Sequence, residues 1–418
     1  MRRWAHFTRI LAISLGIVAG AESCYADPLL KGPDNMRGPI TLAAGRDPSG
    51  RLGAAVQRWN RAHPGEAVTM RELSQSADKQ RITIGQSFQI GSAAYDVALV
   101  DVAWVAEFAA QGSLEPLDER RFANPGIVPA AARTARFHGK LFAAPYGTMA
   151  GILFYRSDLI GSAPKTWSEL ENLCRTVAKP GGIDCYAGQL AEYEGLTVNV
   201  AEAIASAGGS LIANDGVDVT VDSPQARTGL GFLAEGLRQG WIPSAALTYE
   251  EEESRRAFQQ GRLLLLRNWP NIYNLINAPA PGSVIAGKVG VAPLPGLNRI
   301  GKSILGGKNF VLSKFSKHKA TARDWMEFMQ TEAVQREIND PVLIKLYDDA
   351  GLQQRLPFLP VLKNILLDAV TRPTSPNYHA VSRVIQKDAY AALQGRKTVN
   401  GAVADMADGL TKAVASRY

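Results

Sequence analysis

Cysteine and histidine are scarce in this sequence: its 418 residues include three Cys and five His. There is no CxxC or HExxH motif and no other cluster of Cys and His, so the ligand spacing of a zinc site is missing. A GxSxG motif, which would mark a hydrolase nucleophile, is also missing. These absences argue against a metal centre, a bound cofactor and the common hydrolase classes.

Long apolar runs are missing as well, except at the N-terminus. Beyond it, no stretch approaches the roughly 20 apolar residues that a membrane-spanning helix needs. At the N-terminus, Arg2, Arg3 and Arg9 precede or flank an apolar run over residues 10–21. A positive start followed by a short apolar run is typical of a secretory signal peptide, so we expect a protein exported to the periplasm or the cell exterior.

Two routes of processing compete at the end of this segment. Cleavage after Ala26 would define residues 1–26 as the signal peptide, and this is the route we favour. Lipid attachment at Cys24 is the alternative. It is disfavoured because Glu22 stands where lipid attachment requires a small or apolar residue.

If Cys24 is removed or lipidated, Cys174 and Cys185 are the two remaining cysteines. An even number of cysteines in an oxidising compartment favours a disulfide, and we predict one between them. Two buried free thiols are the alternative. A bridge closing so short a loop would stabilise the fold by about 2–3 kcal/mol.

The net charge of +7 raises the question of a nucleic-acid partner. The Lys and Arg residues are dispersed, however, and no basic arm or recognition helix is evident. We therefore expect no nucleic-acid partner. With 46% hydrophobic and 20% charged residues, the chain is globular, and its length favours two or three domains.

Strand and helix patterns alternate in the first part of the chain. The apolar segments 40–44, 68–73 and 96–100 are typical of buried strands, with helical patterns between them. This order favours an α/β fold whose sheets are mostly parallel and flanked by helices. In such sheets ligands bind beyond the carboxyl ends of the strands, where Asp47 and Asp101 follow the first and third segments.

Later segments continue the alternation. Residues 141–155 form a strand-rich segment that Pro145–Thr148 should interrupt, so we interpret it as a crossover. Further expected segments are helices over 167–177, 196–207 and 319–332, strands over 261–267 and 305–312, and a broken helical C-terminus from Phe358.

Five short motifs follow one another in a characteristic order and spacing. They are Trp59–Pro64, Tyr95–Trp104, Gly139–Arg156, Ala257–Trp269 and Gly306–Asn309. In this arrangement the chain resembles the extracellular solute-binding proteins that deliver sugars to ABC importers. Within that family, residues 96–108, 268–270 and 372–378 are most similar to those of trehalose/maltose-binding proteins and of the mycobacterial trehalose-binding lipoprotein.

The resemblance implies a two-lobed periplasmic-binding-protein fold of type II, with crossing hinge strands between the lobes. The N-terminal lobe would hold residues 40–146 and 303–342, and the C-terminal lobe residues 147–302 and 343–418. A monomer would bind a disaccharide or small oligosaccharide, close around it and present it to the permease subunits. No catalysis is implied.

A sugar needs carboxylates and amides at its edge and aromatic rings against its C–H faces. The predicted binding residues are Asp47, Gln80, Asp101, Tyr146, Met149, Glu251, Asn268, Trp269, Tyr273, Gly306, Gly307, Lys308 and Arg372. Met149 and Lys308 depart from the trehalose binders, which have Asn and a small apolar residue there. The loss of an amide and the gain of a cation make an acidic glycoside conceivable.

Several residues also have a purely structural interpretation. Asp101 could cap the following helix, Trp269 could belong to the core, and Glu251 could be a solvated first turn of a helix. Two other functions compete with sugar binding. One is a secreted glycosidase that uses a carboxylate pair, and the other is a receptor for a non-sugar osmolyte.

Overall fold

The computed structural model describes residues 36–47, 49–213 and 216–415. The predicted signal peptide and Cys24 lie outside these ranges. Within them, no helix has both the length and the apolar character that crossing a membrane requires.

The described chain contains short strands and many helices. The strands are β1 Ile40–Gly45, β2 Val68–Leu73, β3 Val97–Asp101, β4 Arg136–Phe137, β5 Lys140–Leu141, β6 Ala143–Ala150, β7 Ile152–Arg156, β8 Asp184–Ala187, β9 Ile212–Ala213, β10 Asp218–Val219, β11 Leu263–Asn268, β12 Val289–Ala292 and β13 Leu305–Leu312. The α-helices are α1 Arg51–Ala62, α2 Ala77–Gln89, α3 Val105–Ala110, α4 Glu119–Phe122, α5 Pro129–Thr134, α6 Trp167–Leu173, α7 Glu194–Ser206, α8 Pro224–Gln239, α9 Glu251–Gln259, α10 Tyr273–Asn277, α11 Lys319–Gln330, α12 Glu332–Gln335, α13 Ala350–Arg355, α14 Leu359–Leu367, α15 Tyr378–Leu393 and α16 Val399–Ala415.

The first sheet has five strands in the order β2-β1-β3-β13-β6. Strand β1 is parallel to β2 and β3, whereas β13 is antiparallel to β3 and β6. Residues Val97–Val100 of β3 are all buried, as expected for a central strand covered on both faces. Helix α1 buries Leu52, Val56 and Trp59, whose helical spacing places them on one face.

The second sheet has four strands in the order β12-β7-β11-β8. Strand β11 is parallel to β8, and β7 is antiparallel to both β11 and β12. The four leucines 263–266 in β11 are fully buried, which explains why this strand is a continuous apolar run.

The prediction of mostly parallel sheets is wrong, because both sheets are mixed. The chain passes straight from β6 in the first sheet to β7 in the second and returns from β12 to β13. Some strands of each sheet are therefore reached directly from the other sheet. Such a connection does not impose the parallel orientation that a βαβ crossover imposes.

The predicted interruption of the strand at Pro145–Thr148 is also wrong. Strand β6 continues through these residues because its pairing with β13 shifts between Lys308 and Asn309, which leaves Tyr146 as the extra residue of a bulge. The break comes at Gly151 instead. A Cβ there would lie 2.2 Å from Glu202 Oε1, so the close approach of this side chain requires glycine.

The predicted disulfide is confirmed. Cys174 and Cys185 are bonded, with 5.1 Å between their Cα atoms. Cys174 begins a π-helical turn that extends α6, and Cys185 lies in β8, so the bridge joins this helix to an edge of the second sheet.

Buried apolar side chains form two clusters. One surrounds the first sheet and draws mainly on residues 40–146 and 310–338. The other surrounds the second sheet and draws mainly on residues 150–305 and 342–413. Helix α5 packs with the second cluster although it precedes β6, and Tyr378 packs with the first. The exact lobe boundaries stay a prediction.

Candidate functional site

A cavity of about 620 Å³ lies between the elements of the two sheets. Its lining includes residues at the carboxyl ends of the parallel strands β1 and β3, where a ligand site is expected in α/β sheets. Strand β13 and the N-terminal turn of α9 contribute other walls. The volume lies within the range of pockets that hold small molecules, about 300–1,000 Å³.

Most of the residues predicted from the sequence line this one cavity, although they are distant in the chain. They are Asp47, Gln80, Asp101, Tyr146, Met149, Glu251, Trp269, Gly306, Gly307, Lys308 and Arg372. Their ligand contacts remain a prediction.

Asn268 and Tyr273 are not among the residues that line this cavity, and their role as ligand contacts stays a prediction. Asn268 is fully buried, and its Nδ2 donates to Ser254 Oγ at 3.1 Å while its Oδ1 accepts from Trp269 N at 2.7 Å. The side-chain amide of Asn268 therefore uses its hydrogen bonds within the protein. The Tyr273 ring packs on Phe358, with 5.1 Å between ring centres, and so belongs to the second cluster of apolar side chains.

Trp269 is held in a defined orientation beside the cavity. Its Nε1 donates to Glu251 Oε1 at 3.3 Å, and the Arg267 guanidinium lies 4.2 Å from the ring centre. Gly306 provides the space for the ring, because a Cβ at this position would be 2.6 Å from Trp269 Cζ3. The glycine thus shapes an aromatic wall of the cavity.

A buried ion pair supports that wall from behind. Arg267 Nε and Nη2 donate to the two carboxylate oxygens of Glu202 at 2.6 and 2.7 Å, and Nη1 donates to Gln189 Oε1 at 2.8 Å. Both charged side chains are almost fully buried. This bidentate geometry fixes the guanidinium that stacks on Trp269.

One end of the cavity contains a network of paired charges that joins the two sheets. Arg372 Nη2 donates to Asp101 Oδ1 at 2.5 Å, and Arg372 Nη1 donates to Glu194 Oε1 at 2.7 Å. Glu194 also accepts from Tyr378 Oη and Ser382 Oγ, each at 2.5 Å. Asp101 is the last residue of β3 in the first sheet, whereas Glu194 begins α7, which packs in the second apolar cluster.

Ionisation in this network follows from burial and pairing. Burial alone would lower the pKa of Arg372, but Asp101, Tyr378 and Glu194 raise it above its ordinary value, so the guanidinium stays charged. Asp101 also accepts from Ala103 N at 2.9 Å, so the capping interpretation is correct at the same time. Asp101 therefore serves both a helix start and an ion pair.

Lys308 reaches into the same end of the cavity. Its Nζ lies 3.5 Å from Gln80 Oε1 and 5.4 Å from the centre of the Trp104 ring. Burial lowers the pKa of Lys308, and the Asp101 carboxylate opposes that shift. The ammonium group retains donors that a ligand can use.

The cavity lining also contains a second group of acids, Asp47 and Asp340. Asp47 Oδ2 accepts from Leu52 N at 2.8 Å, and its Oδ1 accepts from Ser49 N and Ser49 Oγ at 2.9 and 2.6 Å, so this carboxylate holds the start of α1. Burial, with the nearby charge of Asp47, raises the pKa of Asp340 to about 7. Burial and both carboxylates also raise the pKa of Tyr146. No lysine or arginine in the described part of the chain forms a salt bridge with either aspartate.

Sequence reasoning missed several lining residues, including Glu194, Asn271, Asn339 and Asp340. Asn339 and Asp340 precede Pro341, a combination that indicates a turn but not which surface the turn covers. Glu194 is the first residue of α7, two residues before the predicted start of that helix. Neither position carries a signal of its own for ligand binding.

The acids do not form an evident metal centre. Among residues 36–47, 49–213 and 216–415, no group of three or more His, Cys, Asp or Glu side chains is arranged to hold an ion. The expectation that no cofactor is needed stays a prediction.

Comparisons with known proteins identify the family. The family described as bacterial extracellular solute-binding protein matches residues 47–336. A probable ABC transporter-binding protein of Deinococcus radiodurans is 31% identical over 354 residues, 79% of this chain and 82% of that protein. The maltotriose-binding protein of Pyrococcus abyssi is 25% identical over 317 residues, 72% of this chain and 61% of that protein.

A solved structure supports the same assignment. The maltose-bound MalE3 of T. maritima has a TM-score of 0.84 and 31% identity, covering 89% of this chain and 98% of that chain. The mixed α/β sheets flanked by helices match this two-lobed fold. This chain therefore belongs to the bacterial extracellular solute-binding proteins.

Proposed function

We propose that this chain is the substrate-binding component of an ABC importer for a disaccharide or small oligosaccharide of the maltose or trehalose type. It works as a monomer outside the cytoplasmic membrane, delivers its ligand to permease subunits and catalyses no reaction. Its N-terminal lobe comprises residues 40–146 and 303–342, and its C-terminal lobe residues 147–302 and 343–418.

The observation that carries the proposal is the composition of the cavity walls. A fixed aromatic ring, Trp269, stands among carboxylates and an ammonium group that come from both sheets. Sugars present apolar C–H faces and hydroxyls that both donate and accept, so such walls match them. The maltose and maltotriose named for two similar proteins agree with this ligand class.

The mechanism follows from the position of the cavity between the two sheets. A ligand that touches both walls binds the closed form more tightly than the open form and shifts the population towards closure. The permease then distinguishes the loaded from the empty protein by shape. Lys308 and Met149 adjust which hydroxyls are recognised.

The test is a thermal-shift and calorimetric screen of maltose, maltotriose, trehalose and glucuronic-acid glycosides against the mature protein. A true ligand raises the unfolding temperature by mass action and gives a saturable heat. Products should be followed by chromatography in the same samples. Hydrolysis of a glycoside, or binding of polyols but no saccharide, would contradict the proposal.

A further inference from the structure

The part of the cavity around Asp47, Asp340 and Tyr146, here termed the acid end, contains a carboxyl group without an ion-pair partner. Asp340 lines the cavity, and no side chain of the described chain donates a hydrogen bond to its carboxyl group. Asp47 lines the same cavity, and its charge raises the pKa of Asp340. A buried carboxyl group without a partner is costly unless a ligand supplies one.

Two further polar groups at this end also lack a partner. Tyr146 is 9% exposed and lines the cavity, and no hydrogen bond joins its hydroxyl to another described side chain. Asn339 is 7% exposed, lines the same cavity, and has a buried Oδ1 with no hydrogen-bond partner. Buried polar groups in folded proteins normally have partners, so these unpaired groups indicate a ligand.

Residues of three neighbouring elements surround Asp340. Asp47 follows β1, Tyr146 belongs to β6, and Tyr347 follows Asp340 in the chain, its hydroxyl donating to Pro341 O at 2.7 Å. Asp340 also raises the pKa of Tyr146 and Tyr347. Arg46, Arg51 and Lys308 line the cavity as well, but none of them forms a salt bridge with Asp340 or contributes to the shift of its pKa, and Arg372 is paired with Asp101 and Glu194.

Resting on the proposed function, we infer that the transported saccharide carries a protonated amine, as in an amino sugar, and that this amine binds between Asp47 and Asp340. An ammonium group supplies the positive charge that Asp340 lacks in a partner and donors for the oxygens of its carboxyl group. A neutral hydroxyl supplies a donor but no charge.

The test uses the mature protein and begins with whichever neutral sugar the screen identifies. Calorimetry at pH 7 then compares that sugar with its derivatives in which one hydroxyl at a time is replaced by an amine. One amine derivative should bind about tenfold more tightly than the parent, the gain expected for a charge-assisted hydrogen bond.

Variants assign the effect to the acid end. In Asp340→Asn the ratio of the affinity for the amine derivative to the affinity for the parent sugar should fall to about twofold or less. Asp368→Asn removes an exposed carboxylate paired with Lys302 and should leave the preference unchanged. Tyr146→Phe, which keeps the ring, should weaken binding of the amine derivative by a few fold.

Two results would overturn the inference. If no amine derivative binds more tightly than the neutral parent, the ligand is not an amine, although sugar transport stands. If Asp340→Asn keeps the full preference in a protein of unchanged unfolding temperature, the amine binds elsewhere. Failure of every saccharide to bind would instead overturn the proposed function itself, and this inference with it.

Discussion

The two ends of the cavity handle charge in opposite ways. Around Arg372, the guanidinium pairs with both Asp101 and Glu194, and the network also satisfies Tyr378 and Ser382. At the acid end, Asp340 forms no salt bridge with a lysine or arginine of the described chain. The first arrangement stabilises the folded protein without a ligand, and the second leaves interactions for a ligand to complete.

This difference distinguishes residues that stabilise the fold from residues that can bind a ligand. Asp101 and Arg372 were both predicted as sugar contacts, but their mutual ion pair already uses much of their hydrogen-bonding capacity. A group that is already paired gains less from a new partner than one that is not. The following experiments test this comparison.

The largest effect is expected for Arg372→Met. Removing the guanidinium leaves the buried carboxylate of Glu194 without its cation and releases Asp101, which should cost about 3–5 kcal/mol of unfolding free energy. Chemical denaturation measures this loss. Lys302→Met breaks an exposed pair with Asp368 and should cost less than about 1 kcal/mol. Equal effects in the two variants would show that the network at Arg372 is not stabilising.

A large effect on binding, rather than on folding, is expected for Trp269→Ala. The substitution removes the aromatic wall that Glu251 and Arg267 hold in place, so affinity for the sugar should fall about 100-fold. Calorimetry measures the change. Trp269→Phe keeps a ring without the Nε1 donor and should lose about tenfold or less. Unchanged affinity in the alanine variant would place the ligand away from this wall.

Removal of the disulfide should affect stability alone. The double variant Cys174→Ala/Cys185→Ala opens a bridge with a sequence separation of 11 and should lose about 2–3 kcal/mol of unfolding free energy. Neither cysteine lines the cavity, so sugar affinity should be unchanged. Thermal unfolding and calorimetry on the same sample separate the two quantities. A loss of affinity would link this edge of the second sheet to the cavity.

The last effect is a pH dependence that comes from Asp340. Its pKa rises from 3.8 to about 7 on folding, so the folded state binds the proton more tightly. Its contribution to stability is complete below pH 3.8 and is lost as the pH rises to about 7, by at most about 1.4 kcal/mol for each pH unit. Denaturation between pH 4 and 8 should show this decline in the native protein but not in Asp340→Asn. A decline of the same size in both proteins would assign it to another group.

Strand positions were predictable where a local pattern was strong. The segments Val68–Leu73 and Leu305–Leu312 have the predicted bounds, because apolar residues bounded by turn residues mark a buried strand. The continuity of β6 was not predictable. The shift in pairing with β13 that accommodates Pro145 depends on a strand far along the chain.

The sequence by itself determined the α/β class, the cysteine pair and eleven residues of the cavity lining, since these depend on composition, periodicity and family motifs. The tertiary structure decided which of those residues are already paired. Asp101 and Arg372 are 271 positions apart, and Asp47 and Asp340 line the same cavity. Ion pairing and burial depend on distances in space, and no local pattern encodes the distance between remote side chains.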